Sequence, residues 1–289
     1  MGHDVHLVDG TYELFRYHYA PNNRDPERGA ARGVLGSLLQ LVESGATHVG
    51  VATDHVIESF RNELWPTYKD GEGVDPQLKA QFGPLEELLE AAGFAVWPQV
   101  EFEADDGLAA GAALAATDDD VDRVVICTPD KDMAQLVGGK VWQWDRRQDK
   151  WFDTAGVQEK FGVLPESIPD WLALVGDSAD GFPGLPGWGA KSAAAVLARY
   201  VHLEDVPPAA GQWDITVRSG AKLAKVLQDH LDEALLFRTL ATLQPDAPVS
   251  AAVDDLRWRG PADGFDRLAA DLDAERLAER AHRLADGRR

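Results

Sequence analysis

The chain has 289 residues, 45% of them hydrophobic and 27% charged, which suits a globular protein with a sizeable core. No apolar run approaches the roughly 20 residues of a membrane helix. The start Met1-Gly2-His3-Asp4 lacks a signal-peptide pattern, Cys127 alone excludes an intrachain disulfide, and the whole points to the cytoplasm. With 28 basic against 49 acidic side chains, the net charge of −21 argues at face value against a nucleic-acid partner.

In chain order, Val5 to Gly10 reads as a strand running into Asp9 and a turn, Thr11 to Tyr19 as a helix, and Pro21 to Gly29 as a loop. Apolar residues at helical spacing mark Val34 to Ser44. A second strand, His48 to Thr53, ends in Asp54. Phe60 to Tyr68 leads to a Gly-rich acidic loop, Lys69 to Gly73. Pro76 to Ala91 is expected as one helix, Phe94 to Trp97 as a strand, and Glu103 to Ala116 as an Ala-rich helix. Val121 to Thr128 is a β-branched apolar run bounded by charge and by Pro129, the signature of a buried strand, with Asp130 and Asp132 just beyond it. Val141 to Trp144 reads as an edge strand. Strands alternating with helices predict an α/β fold with a mostly parallel sheet. Beyond Trp171 the strand signals fade into short helices with Gly and Pro turns, so a boundary is expected near residue 165, dividing 1–165 from 166–289. Residues 245–263 read as a connecting segment and Phe265 to Leu284 as a charged amphipathic helix or pair.

Three predicted strands thus end in acids, at Asp9, at Asp54 and at Asp130 with Asp132. In an open parallel sheet that is where ligands bind. Glu103, Asp105 and Asp106 open a helix, and Asp177 and Asp180 flank a Gly-rich turn. Acids at turns and in first helical turns are also ordinary turn and helix-dipole chemistry. Nine together are different. Two like charges about 4 Å apart repel by roughly 4 kcal/mol at an effective dielectric near 20, so convergent acids either gain protons or hold cations. All-oxygen donors suit Mg²⁺ or Mn²⁺ rather than Zn²⁺, and paired hard cations suit phosphodiester hydrolysis. The run Phe182 to Ser192 is a Gly/Pro hairpin opening the helix Ala190 to Tyr200, and its amides with Lys191 offer either a clamp on a DNA phosphate or a tight helix–helix turn.

The order Asp9, Asp54, Glu103-Ala-Asp-Asp106, Asp130-Lys-Asp132, Gly176-Asp177-x-x-Asp180 and Pro-Gly-x-Gly resembles the 5′ nuclease family. That family includes bacterial 5′→3′ exonucleases, the nuclease domain of DNA polymerase I and flap endonucleases. Leu7-Val-Asp-Gly10, Phe60-Arg61-Asn-Glu-Leu64, Tyr68-Lys69, Asp130 to Leu136 and Gly184 to Lys191 are similar to family signatures, and the match runs from about residue 5 to 245. The resemblance implies a standalone member with a resolvase-like (PIN-like) domain and a helix-three-turn-helix DNA-binding region. It implies two or three Mg²⁺ or Mn²⁺ ions held by Asp9, Asp54, Glu103, Asp105, Asp106, Asp130, Asp132, Asp177 and Asp180. It assigns Lys69 and Arg61 to catalysis, and Arg16, Tyr68, Gly187, Gly189, Lys191 and Ser192 to DNA binding, with K⁺ at the hairpin 184–192. The implied partner is DNA bearing a 5′ flap, nick or 5′ end, or an RNA–DNA hybrid, cut by a monomer without a membrane in replication and repair.

Two departures from the family pattern stand out. Glu72 replaces the usual Arg three residues after Lys69, which would lower the rate, shift the preference between flap and exonuclease cutting, or hand the grip on a flap to Arg24, Arg28 or Arg32, and Gly181 replaces the usual Asn after the last Asp. A non-catalytic DNA-structure binding protein would be expected to have lost acids from the set, and a PIN-type ribonuclease would be shorter and lack the helical hairpin. A glycosyltransferase reading of Asp130-Lys-Asp132 leaves seven acids unexplained.

Overall fold

The computed structural model describes residues 2–288. Its elements in chain order are β1 (His3–Asp9), α1 (Gly10–His18), α2 (Gly29–Glu43), β2 (His48–Asp54), α3 (Arg61–Leu64), α4 (Pro76–Lys79), α5 (Phe82–Ala91), β3 (Ala95–Gln99), α6 (Ala104–Ala116), β4 (Val121–Cys127), β5 (Val141–Asp145), β6 (Lys150–Phe152), α7 (Thr154–Phe161), α8 (Ile168–Val175), α9 (Ala190–Tyr200), α10 (Gly220–Asp229), α11 (Leu231–Ala241), α12 (Phe265–Asp271) and α13 (Glu275–Asp286). No described helix is long and apolar enough to cross a membrane. The contacts divide the chain into two compact units. One comprises the chain up to Ser59, Gly71–Thr128 and the chain from Gln244; the other comprises Phe60–Asp70 and Pro129–Leu243.

In the first unit the strands run β3-β2-β1-β4, all parallel. Every residue of β2 is buried, which is why its sequence is a near-continuous apolar run rather than an alternating one. Strand order reverses at β1, whose neighbours are β2 and β4. The carboxyl ends of this reversal carry Asp9 and Thr128, the place where such a sheet binds ligands. Helix α6 packs on β1, β2 and β4 through small residues; a Cβ at Gly111 would meet the Trp97 ring at 2.7 Å. The pair expected after Phe265 is present as α12 and α13, packed on α5 and α2. Trp258 ties that return segment down, its backbone N–H donating to Thr47 O and its indole N–H to Ala92 O, each at 2.9 Å.

The second unit is helical around a core of Leu172, Phe182, Leu197, Phe237 and Leu240, and Tyr68 is buried in it. Trp65 meets Phe237 edge-on at 5.2 Å, and Phe182 stacks on Phe237 at 5.6 Å. Strands β5 and β6 form an antiparallel hairpin with Trp144 stacked on Trp151. Asp170, buried on α8, accepts from His202 and Arg238 at 2.9 and 3.1 Å and so joins α8 to α11.

One expected element is divided. The helix foreseen over Pro76–Ala91 is two, α4 and α5. Pro84 has no N–H to offer a continuous helix at that turn. The buried Gln81 at the break donates to Pro26 O at 2.8 Å and accepts from Ala31 N–H at 3.2 Å. Two elements the sequence did not announce are β6 and α7, the latter with Val157 as its only buried residue.

His48, at the start of β2, stacks on His3 at 3.9 Å. Burial, then the neighbouring His3 and Arg257, lower its pKa from 6.5 to about 4. The unfolded chain therefore binds a proton between those values that the native state refuses. Stability is expected to fall as pH drops from 6.5 toward 4, and His48→Gln is expected to flatten that slope in urea titrations across the window.

Candidate functional site

Four of the five predicted acids of the first unit are fixed by hydrogen bonds of the local fold. Asp9 ends β1 and caps α1: Oδ1 accepts Tyr12 N–H at 2.8 Å, and Oδ2 accepts the Thr128 hydroxyl at 3.2 Å. Asp54 ends β2, and its Oδ1 accepts Ala104 N–H at 2.7 Å at the start of α6. Glu103 is the N-cap of that helix and accepts the Ser59 hydroxyl at 2.9 Å. Asp106, with no exposed surface, accepts Glu103 N–H at 3.0 Å on Oδ2 and Gln244 N–H at 2.9 Å on Oδ1. Asp105 is half-buried in the same first turn. The orphan amides of the α6 N-terminus thus gather Asp54, Glu103 and Asp106 into one cluster.

The second unit gathers the others. Asp130 Oδ1 accepts Asp132 N–H at 3.0 Å, an Asx turn, and the Asp130 carbonyl accepts from Gln143 at 2.5 Å. Asp132, Asp177 and Asp180 each place one carboxylate oxygen within 4.8 Å of the others. Asp132 is 5% exposed, and its Oδ1 is buried without a hydrogen-bond partner. Burial, then Asp130, Asp180 and Asp177, hold its carboxyl well above the usual range, with Lys131 opposing them. Asp177 Oδ1 accepts Ala179 N–H at 3.0 Å, while Oδ2 pairs with Lys131 Nζ at 2.6 Å. Lys69 Nζ lies 3.9 Å from the Asp180 carboxylate, and Lys69 N–H donates to the Asp180 carbonyl at 3.0 Å. Two buried carboxylates and a half-buried third, with one buried oxygen that no described N–H or O–H serves, suit a hard cation.

Gly181 is explained by what it touches. Its φ is +83°, and a Cβ there would stand 2.1 Å from Thr67 O. The Gly181 carbonyl accepts from the Trp65 indole at 3.1 Å. The chain at 65–69 therefore lies directly on the Asp177–Phe182 turn, which closes with Asp177 N–H donating to Phe182 O at 2.9 Å.

At the helical hairpin, Gly189 caps α9, and the Ser192 hydroxyl both accepts Gly189 N–H at 3.1 Å and donates to its carbonyl at 2.9 Å. Gly187 turns the chain at φ +84°, and Lys191 is exposed. Gly187, Gly189, Lys191 and Ser192 border a cleft of about 610 Å³ whose other wall includes Thr216 and Arg218. Arg218 went unnoticed in the sequence; the available signal was the Ser219-Gly220 pair opening α10. Gln135 was also missed. Its amide donates to Asp132 O and Ala241 O at 2.9 Å and accepts Leu243 N–H at 3.0 Å, pinning the turn that carries Asp132.

Three residues foreseen as contacting substrate are engaged elsewhere. Arg61 is 1% exposed and donates to Leu240 O at 2.7 Å and Thr242 O at 3.1 Å. Tyr68 is a core residue. Arg16 pairs with Glu13 at 2.5 Å and lies over the Tyr17 ring. Of the substitutes for the missing arch arginine, Arg28 is bound to Asp273 at 2.7 Å and Arg32 to Asp25 at 2.6 Å.

The chain matches the model of the 5′-3′ exonuclease N-terminal resolvase-like domain over residues 4–162 and that of the 5′-3′ exonuclease C-terminal SAM fold over residues 163–264. It is 35% identical over 265 residues to DNA polymerase I of Pseudomonas aeruginosa, covering 86% of this chain and 28% of that protein. With DNA polymerase I of Mycobacterium leprae it shares 32% over 287 residues, covering 95% and 31%. The chain thus spans under a third of the length of these relatives. Among solved structures, T5 5′-exonuclease with bound divalent metal ions (zinc) superposes with a TM-score of 0.68 at 21% identity, covering 95% of this chain and 99% of that one. The catalytic core of Rad2 in complex with DNA substrate gives 0.65 at 18%, covering 98% and 92%. These likenesses establish the fold.

Gly181→Ala is expected to destabilise the protein by roughly 1–2 kcal/mol for the left-handed backbone alone, with a further loss from displacing the Thr67 carbonyl. A urea midpoint unchanged from wild type would show that the 65–69 stretch does not rest on this turn.

Proposed function

Because this chain belongs to the 5′-3′ exonuclease family, with its resolvase-like and SAM-fold domains matched in succession, we propose that it hydrolyses DNA phosphodiesters at or near 5′ ends and 5′-flap/duplex junctions, serving primer removal and repair. The observation that carries this reading is the clustered trio Asp132, Asp177 and Asp180, with an oxygen of Asp132 that no described residue partners. The trio would hold Mg²⁺ or Mn²⁺, and within the first unit Asp9, Asp54, Glu103 and Asp105 offer carboxylates for a further ion. Bound there, the cations supply Lewis acidity toward the phosphate and toward water.

The protein's own groups do the rest. Asp130 and Gln135 hold the turn that aims Asp132. Asp106, both of whose oxygens accept backbone amides, fixes the N-terminus of α6. Lys69, beside Asp180, presents an ammonium to the charge that develops on the phosphoryl oxygens. Arg61 serves that step by bracing the chain rather than by touching substrate, since its donors are spent on carbonyls. Lys191 and Arg218, with the Gly187–Gly189 turn and Ser192, take a duplex phosphate at the cleft, and the hairpin 184–192 would hold K⁺. We place the functional division between cleavage and duplex binding near residue 165, close to where the two family models meet, and treat the active species as a monomer.

A labelled 5′-flap duplex is expected to be cut near its junction with Mg²⁺ or Mn²⁺ and to survive in EDTA. Asp132→Asn and Asp54→Asn are each expected to abolish cutting while retaining DNA binding, and Lys69→Ala to slow it by about 10²- to 10³-fold. No product with any divalent cation would overturn the reading in favour of a DNA-structure binding protein. DNA affinity is expected to fall on the order of 10²-fold between 50 and 200 mM salt, for about four phosphate contacts, measured by fluorescence anisotropy.

A further inference from the structure

Lys131 stands between Asp130 and Asp132 in sequence, yet its ammonium is turned onto a third acid, 2.6 Å from Asp177 Oδ2. The other oxygen of Asp177 already accepts Ala179 N–H. Both Asp177 oxygens are therefore engaged, one by an amide and the other by a lysine ammonium. Asp132 Oδ1, by contrast, has no partner. A divalent cation held by Asp132, Asp177 and Asp180 would compete with Lys131 for the Asp177 carboxylate.

We propose that Lys131 is a tethered counter-ion: its ammonium holds Asp177 in the metal-free protein and is released to solvent as a divalent cation binds the trio. The inference rests on the metal-dependent reading above. Lysine suits the part. It is a compact charge on a flexible four-carbon stem, able to leave one carboxylate without disturbing the backbone, where a bidentate arginine would be harder to displace. Three carboxylates this close repel one another. Lys131 on Asp177, with Lys69 near Asp180, lets them stay folded together before any cation arrives. The device lowers cation affinity while keeping the donors arranged.

The release can be read directly on the wild-type protein. Lysine acetylation by an N-hydroxysuccinimide ester, followed by peptide mass spectrometry, is expected to label Lys131 at least 5-fold more slowly than exposed Lys150 without Mg²⁺. Saturating Mg²⁺ is expected to raise Lys131 labelling several-fold and leave Lys150 unchanged. In parallel, Mn²⁺ binding followed by electron paramagnetic resonance is expected to be about 10-fold tighter in Lys131→Met and unchanged in Lys150→Met, which removes a charge outside the trio. Lys131 labelling that is indifferent to Mg²⁺, or Mn²⁺ affinity in Lys131→Met no tighter than in wild type, would overturn the proposal while leaving the metal site intact. Wild-type protein that takes up no Mn²⁺ would instead remove the metal-dependent reading on which the proposal stands.

Discussion

A carboxylate withdrawn from water must be met by a donor or a cation, and this constraint organises the chain at each predicted acid. Asp9, Asp54, Glu103 and Asp106 are met by neutral donors, chiefly the amides of helix starts. Asp177 and Asp180 are met by ammonium groups. Asp132 is left with an oxygen that no hydrogen-bond donor among the described residues serves. Asp106 looks like its neighbours in sequence, but its two oxygens are both committed to amides.

Much of this was legible beforehand because the sequence repeats one physical arrangement: apolar strand, then acid. β1, β2 and β4 each end where the pattern put them, and Ala190–Tyr200 begins at the Gly/Pro hairpin as expected. What the sequence could not convey was partnership. Arg61 and Lys69 lie eight residues apart and read alike, yet one donates to the Leu240 carbonyl of α11 in the core and the other sits beside an acid. Tyr68 reads as a surface aromatic beside a lysine and is core. Gly181 reads as a lost asparagine, and only the approach of the Thr67 carbonyl explains it. α7 buries too little apolar surface to announce itself by periodicity. Pairings across long separations, such as Gln135 with Leu243, leave no local pattern to read.

The net charge of −21 is compatible with a polyanionic partner because the positive charge is unevenly employed. Many arginines are spent on acids within the fold: Arg28 on Asp273, Arg199 on Asp214, Arg280 on Glu43. Such exposed pairs contribute little stability, but they remove cations from circulation. Lys191 and Arg218 border the hairpin cleft with no ion pair among the described residues. A partner recognised at that cleft meets a local field quite different from the whole-chain average.

The burial of Trp65 and Tyr68 bears on how the chain is made. Their packing partners, Phe182 and Phe237, lie more than a hundred residues further along. At synthesis rates of about 5–20 residues per second, this aromatic stretch leaves the ribosome on the order of ten seconds before the helices that cover it exist. During that interval it is an exposed apolar segment followed at once by the acidic run Asp70–Glu72. The negative charge that departs from the family pattern there also acts as a solubilising neighbour for a nascent chain whose hydrophobic residues cannot yet be buried.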